Sequence, residues 1–179
     1  MKNIKNYLIQ MKDSSETMLD LAYAAIYLRD LNLVNQVDEL FEKLKKIQDK
    51  IYKLCFRLEG VEEERLAIID LTEQILGIAE KAKHLADIAR AKVIPDIFKD
   101  IFKESDEKIF TEVVSKKSKL VNKKLSEIEI GPQIIGIKRK KKWIFDITSE
   151  TKILPGDILV AVGNIYDEKL FKELLAGLS

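Results

Sequence analysis

Cysteine occurs once in the 179 residues, at Cys55, which excludes an internal disulfide and any cysteine-rich zinc cluster. Histidine also occurs once, at His84, and no serine or cysteine stands at a recognisable nucleophile spacing from it, so triad chemistry has no support. No P-loop and no glycine-rich dinucleotide fingerprint is present, which excludes NAD or ATP binding by a Rossmann domain, and no enzyme is expected. Neither sign of charge prevails: 31 Lys+Arg against 30 Asp+Glu leave +1, which argues against a general nucleic-acid binder. Long apolar runs are missing too. The run from Leu21 to Leu28 stops at Arg29, short of the roughly 20 residues that span a bilayer. Tyr7-Leu8-Ile9 behind Lys2 and Lys5 is no signal-peptide core, so a cytoplasmic location is expected, peripheral to a membrane only through a partner.

What the chain does have is a folding composition, 46% hydrophobic and 34% charged, in a length suited to one domain or two small ones. Its punctuation is uneven. Of 7 glycines and 3 prolines, only Gly60, Gly77 and Pro95 precede residue 100. Residues 1–104 carry 17 basic and 19 acidic side chains, and residues 105–179 carry 14 basic and 11 acidic. The first part therefore reads as long helices and the second as short elements.

Leu33, Val37, Leu40, Leu44, Ile47, Ile51, Leu54 and Leu58 step by four and three along one helical face. Ile68, Leu71, Ile75, Ile78, Ala82, Leu85 and Ala89 do the same later, and Ile4, Leu8, Met11, Met18, Ala22 and Ala25 do so earlier. Turns are expected near Asp30-Leu31-Asn32 and Glu59-Gly60, with Pro95 ending the third helix and a short helical piece from Ile97 to Lys103. Three antiparallel amphipathic helices bury each other incompletely, which leaves room for a partner or a second copy.

After residue 105 the pattern predicts a strand at Thr111–Val114, a helix capped by Ser118 and running to Ile128, and strands at Gln133–Lys138, Trp143–Ile147 and Asp157–Val162. A closing helix from Tyr166 to Leu178 is expected to turn Leu170, Leu174 and Leu175 inward. The fold class is α+β: a helical bundle over 1–104, then a small sheet with two helices over 105–179.

Chemistry-bearing clusters are few. Glu80, His84 and Asp87 lie at i, i+4, i+7, extended by Glu73, and could hold a divalent metal on the helical domain, as could Asp38 with Glu42. The plainer reading is a solvated face opposite the apolar one, laced with Lys45, Lys46, Lys81 and Lys83. The run Lys138 to Lys142 reads as a solvated turn that discourages edge pairing, although the planar fork of Arg139 suits an anion. Trp143 is expected as a core or interface anchor and Cys55 as a buried small hydrophobe.

Two resemblances organise these readings. SKLVNKKLSEI, QIIGIKR and KKWIFDITSETKILPGDILVAVG, with Ile135, Ile137, Arg139, Gly156, Asp157, Ile158, Leu159 and Gly163 at the pattern positions, resemble the TrkA-C (RCK-C) module of regulators of potassium conductance. Asn122 stands where members have glycine, and Ile130 runs directly into Gly131-Pro132 where members that bind cyclic dinucleotides continue with an arginine. The first half, through MKDSSETMLDLAYAAI, VDELFEKLKKI and IAEKAKHLADIA, resembles a PhoU domain, whose metal-binding positions fall on Glu80, His84, Asp87, Asp38 and Glu42. The joint order resembles potassium-transport accessory proteins. It implies a non-enzymatic regulator, a homodimer acting on the cytosolic face of a potassium channel or transporter. A small anionic ligand or nucleotide would sit in a dimer cleft at Gln133, Ile135, Ile137 and Arg139. Its alternatives are a metal-binding phosphate-signalling regulator and a ligand-free scaffold.

Overall fold

The computed structural model describes residues 2–57, 62–91, 94–129, 131–145 and 147–177. The chain divides into two compact units, Met1–Ile94 and Pro95–Ser179.

The first unit is three long helices: α1 (Lys2–Leu28), α2 (Leu31–Cys55) and α3 (Glu62–Asp87). The α1–α2 turn needs only Arg29 and Asp30. Arg29 takes a left-handed φ of 54°, and the Asp30 carboxylate accepts from the backbone N–H of Asn32, capping α2. The Glu59-Gly60 turn expected before α3 lies outside the described residues. α2 buries Leu33, Val37, Leu44 and Ile51 as its spacing predicts, and adds Val34, Gln36 and Cys55.

On α3 the buried face differs from the expected stripe. Thr72, Ile75, Ala79, Ala82 and Ala86 point inward, while Leu71 and Ile78 remain nearly half exposed. Small alanines in the inner positions let helices approach closely, and Thr72 enters the core because its hydroxyl donates to the Ile68 carbonyl, 2.7 Å away. α3 ends at Asp87, followed by one 3-10 turn (Ile88–Arg90), so the helix stops before Pro95 rather than at it.

The second unit holds α4 (Ile97–Glu104), β1 (Glu107–Val113), β2 (Gln133–Arg139), β3 (Lys142–Ile144), β4 (Ile158–Asn164) and α5 (Ile165–Ala176). The division falls ten residues before the 104/105 boundary expected from composition, because α4 packs on β1. The strands form one antiparallel sheet in the order β1-β4-β2-β3. Its core gathers Phe110, Leu120, Ile137, Ile153, Leu159, Phe171 and Leu175, with Phe110 and Phe171 edge to face at 5.4 Å. α5 starts where Asn164 accepts from the N–H groups of Tyr166 and Asp167, and Asp167 accepts from Asn164 in return. Its inner face is Phe171 and Leu175; Leu170, expected inside, is 47% exposed.

The helix expected from Ser118 to Ile128 is absent. Turns and a single 3-10 turn (Leu125–Glu127) take its place. The backbone there bonds outward instead: Asn122 N–H to the Ile153 carbonyl, Leu125 N–H to Thr151, and Ile153 N–H to Lys123. Ser118, read as a helix cap, accepts from the Leu120 N–H and donates to the Leu174 carbonyl. Pairing with the 151–153 segment outweighs the amphipathic spacing. Asn122 has φ 66°, the left-handed region that asparagine tolerates best after glycine, which accounts for the residue found there.

Candidate functional site

The most tightly built polar centre of the second unit lies where the end of β2 meets the turn before β4. Asp157 is 1% exposed and stands behind Pro155-Gly156, where Gly156 supplies a φ of 83° that few other residues adopt. Arg139, last in β2, forks onto it: Nε donates to one carboxylate oxygen at 2.9 Å and Nη2 to the other at 2.8 Å. The carboxylate also accepts from the Leu154 N–H, and Nη2 donates to the Lys152 carbonyl. Hydrogen bonding to Asp157 holds the Arg139 guanidinium still more firmly protonated than usual, against a smaller opposing effect of burial. Such a closed, bidentate pair fixes geometry and leaves little of the fork for an outside anion.

The four residues expected to bind a ligand therefore do not share one surface. Gln133 is exposed, Ile135 and Ile137 are buried, Ile137 within the core, and Arg139 is committed to Asp157. The register shift between Ile134 and Gly136 places Ile135 at a bulge. Beyond Arg139 the hairpin tip carries Lys140 at φ 57°, Lys141 and Lys142, all exposed and without an ion pair among the described residues. Lys138 Nζ lies 5.2 Å over the Trp143 ring, and Trp143 stacks on Phe145 with centroids 5.3 Å apart. The rings lie close against Gly136, where a Cβ would come within 3.1 Å of Trp143. A cleft of about 200 Å³ lined by Leu125, Ile128, Pro132 and Ile134 is smaller than the roughly 300 Å³ at which sites for drug-sized ligands begin.

On the helical unit, the carboxylates read as metal ligands meet cations of the chain itself. Asp38 receives Lys83 Nζ on one oxygen and Arg90 Nη2 on the other, both at 2.6 Å, and Arg90 Nε reaches Asp87 at 2.9 Å. Glu42 pairs with Lys45 at 3.2 Å, while Glu80 and His84 are exposed. Among the described residues no group of three or more His, Cys, Asp or Glu is placed to hold a metal ion, so the expected constellation is not assembled. Glu73, read as an extension of that stripe, accepts instead from the Tyr52 hydroxyl and the Gln48 amide across α2 and α3.

Sequence reasoning missed one feature. A groove of about 610 Å³ runs between α1 and α3, lined by Ile4, Leu8, Ile9, Ile68, Leu71 and Ile75 with Lys5 and Lys12 at its edge. Its signal was Ile9, which lies off the inner stripe of α1.

A three-helix unit followed by a small antiparallel sheet with a closing helix is the layout of a two-domain α+β chain. The family comparisons give each part its identity: the PhoU domain matches residues 8–91 and the TrkA-C domain residues 109–176. The chain carries a PhoU domain followed by a TrkA-C domain. No curated protein matches it. Among solved structures it is similar to "GsuK channel bound to NAD", at 16% identity and a TM-score of 0.36, over 62% of this chain and 21% of that one. It is likewise similar to "Crystal Structure of the GsuK RCK domain", at 15% identity and a TM-score of 0.32, over 60% of this chain and 24% of that one. The chain thus spans about a fifth to a quarter of the length of the solved chains it matches. Among the described residues, no helix is long and apolar enough to cross a membrane.

Proposed function

We propose that the chain is a non-enzymatic regulatory subunit of potassium transport, acting as a homodimer on the cytosolic face of a channel or transporter. The observation that carries this reading is the order of its domains, a PhoU domain joined to a TrkA-C domain in one chain. The two units have separate cores, so one can respond to a signal while the other holds a partner. In this reading the TrkA-C unit senses a small anionic ligand and biases the dimer between two arrangements, which requires unequal affinity for the two.

Lys140, Lys141 and Lys142 at the β2–β3 tip, exposed and without an ion pair among the described residues, offer positive charge for such a ligand once Arg139 is committed to Asp157. Melting of the full chain against a panel of nucleotides and inorganic anions tests the sensing step. A stabilisation that is lost in Lys140→Ala/Lys141→Ala/Lys142→Ala supports it. A panel without any shift argues for a scaffold that binds its membrane partner with no small ligand.

A further inference from the structure

The sheet of the second unit has two edges, and they are built differently. β3 is three residues long, and Lys140, Lys141 and Lys142 lead into it, which discourages a further strand. β1, at the other end, is seven residues long and pairs with β4 in unbroken register from Glu107 to Val113. It holds neither a bulge nor a proline to blunt it.

The backbone of β1 is aimed outward at alternate residues. The Val114 N–H donates to the Asp157 carbonyl, and the Val114 carbonyl accepts from the Gly156 N–H, both at 2.8 Å, so Val114 turns both groups to the β4 side. Antiparallel alternation gives Glu112, Phe110 and Lys108 the same aim and turns Glu107, Ile109, Thr111 and Val113 to the open side. Among the described residues those outward groups meet no other backbone. Glu107, Thr111 and Val113 are exposed, Val113 by 57%, so the edge is accessible along its length. Beyond Val113 it closes, because the Ser115 N–H donates to the Leu175 carbonyl.

The residues on this edge complement themselves. A two-fold axis through Phe110, normal to the sheet, is the one antiparallel register that overlaps all seven residues of two copies. It sets Lys108 opposite the partner's Glu112, and Glu112 opposite the partner's Lys108. Ile109 meets the partner's Thr111, and both turn their backbone outward, as a hydrogen-bonded pair requires. Glu107 falls opposite the partner's Val113, so no like charges meet. Lys108 and Glu112 lie half-buried on the face of Phe110, and Lys172, 3.6 Å from Glu112, leaves that carboxylate able to accept a second cation. Moving the axis to Ile109 or Thr111 sets Lys108 or Glu112 against Phe110 and ends the match.

We propose that β1 pairs with β1 of a second copy and joins two four-stranded sheets into one of eight. The pairing gives the homodimer of the proposed function one of its contacts. It rests on that part of the reading alone and not on potassium.

The experiment uses the full chain with Cys55→Ala and Thr111→Cys, which carries one thiol, at the exposed centre of the edge. In the paired strands the two Thr111 positions are diagonal neighbours, roughly 7–8 Å apart and within reach of a short bismaleimide. Covalent dimers are expected at micromolar concentration. Adding Lys108→Glu creates two like-charged pairs and should cut the cross-linked fraction about tenfold. Adding Glu112→Lys as well should restore it. Within one strand the two residues are about 14 Å apart, so the swap can rescue only between copies. Light scattering on the same samples separates this inference from the wider reading. Dimers that do not cross-link overturn the β1 pairing and leave the homodimer standing, whereas monomers overturn both. A yield indifferent to Lys108→Glu, or one that the swap does not restore, also overturns the pairing.

Discussion

Arg139 and Asp157, eighteen residues apart, close a two-pronged ion pair with N–O distances of 2.9 and 2.8 Å. The carboxylate is buried, and the guanidinium keeps about a third of its surface in water. The pair ties the end of β2 to the turn that launches β4, so it sets where the two central strands of the sheet begin and end.

Removing one partner leaves the other buried and uncompensated. Arg139→Ala should therefore destabilise the second unit by about 3 kcal/mol, the low end for a broken buried pair because Arg139 is partly solvated. Arg139→Lys should recover only part, since an ammonium cannot fork onto both oxygens. Urea unfolding followed by the fluorescence of Trp143, the chain's single tryptophan, measures both. A loss under about 0.5 kcal/mol for Arg139→Ala would place the pair among surface contacts of no structural weight.

Gly136 offers a second handle on the same strand. A methyl group there would come within 3.1 Å of Trp143 and 3.4 Å of Phe145, so the stacked rings must shift outward. Gly136→Ala should cost about 1 kcal/mol and alter the Trp143 emission of the folded protein. Unchanged emission would mean that the rings do not rest on the strand.

Much of the architecture is legible in the sequence where one local rule suffices. The period of four and three fixes the stripe from Leu33 to Ile51, and the turn residues bracket β2 and β4. Local rules fail where distant bonds compete. Residues 118–128 have helical spacing, yet the N–H groups of Asn122 and Leu125 are taken by the carbonyls of Ile153 and Thr151. On α3 the spacing admits two adjacent faces, and the small alanines rather than the larger Leu71 and Ile78 go inward. Arg139 and Asp157 are both visible as pattern positions, but spacing alone does not say that they neutralise each other. Asp38 is similar: Lys83, 45 residues away, and Arg90, 52 away, claim its two oxygens and displace the metal reading.

The α2–α3 contact at Tyr52 carries a pH signature. Burial raises the phenol above its ordinary 10.0, and the hydrogen bond it donates to Glu73 raises it further. The folded chain thus holds this proton more tightly than the unfolded one. Its contribution to stability is complete below pH 10.0 and is lost as pH rises through the higher folded value. Tyr52→Phe should remove that part of the alkaline decline, seen by urea unfolding across a pH series. An identical slope in both proteins would show that the phenol titrates alike in the folded and unfolded chains.

The central claim, regulation of potassium transport by a PhoU domain coupled to a TrkA-C domain, is tested most directly by rubidium uptake in cells lacking the chain. Uptake should change in its absence and return with the full chain. It should not return with residues 1–94 alone, which keep the helical unit and drop the one that carries the TrkA-C domain. Uptake that is identical with and without the chain, or restored in full by residues 1–94, would contradict the account.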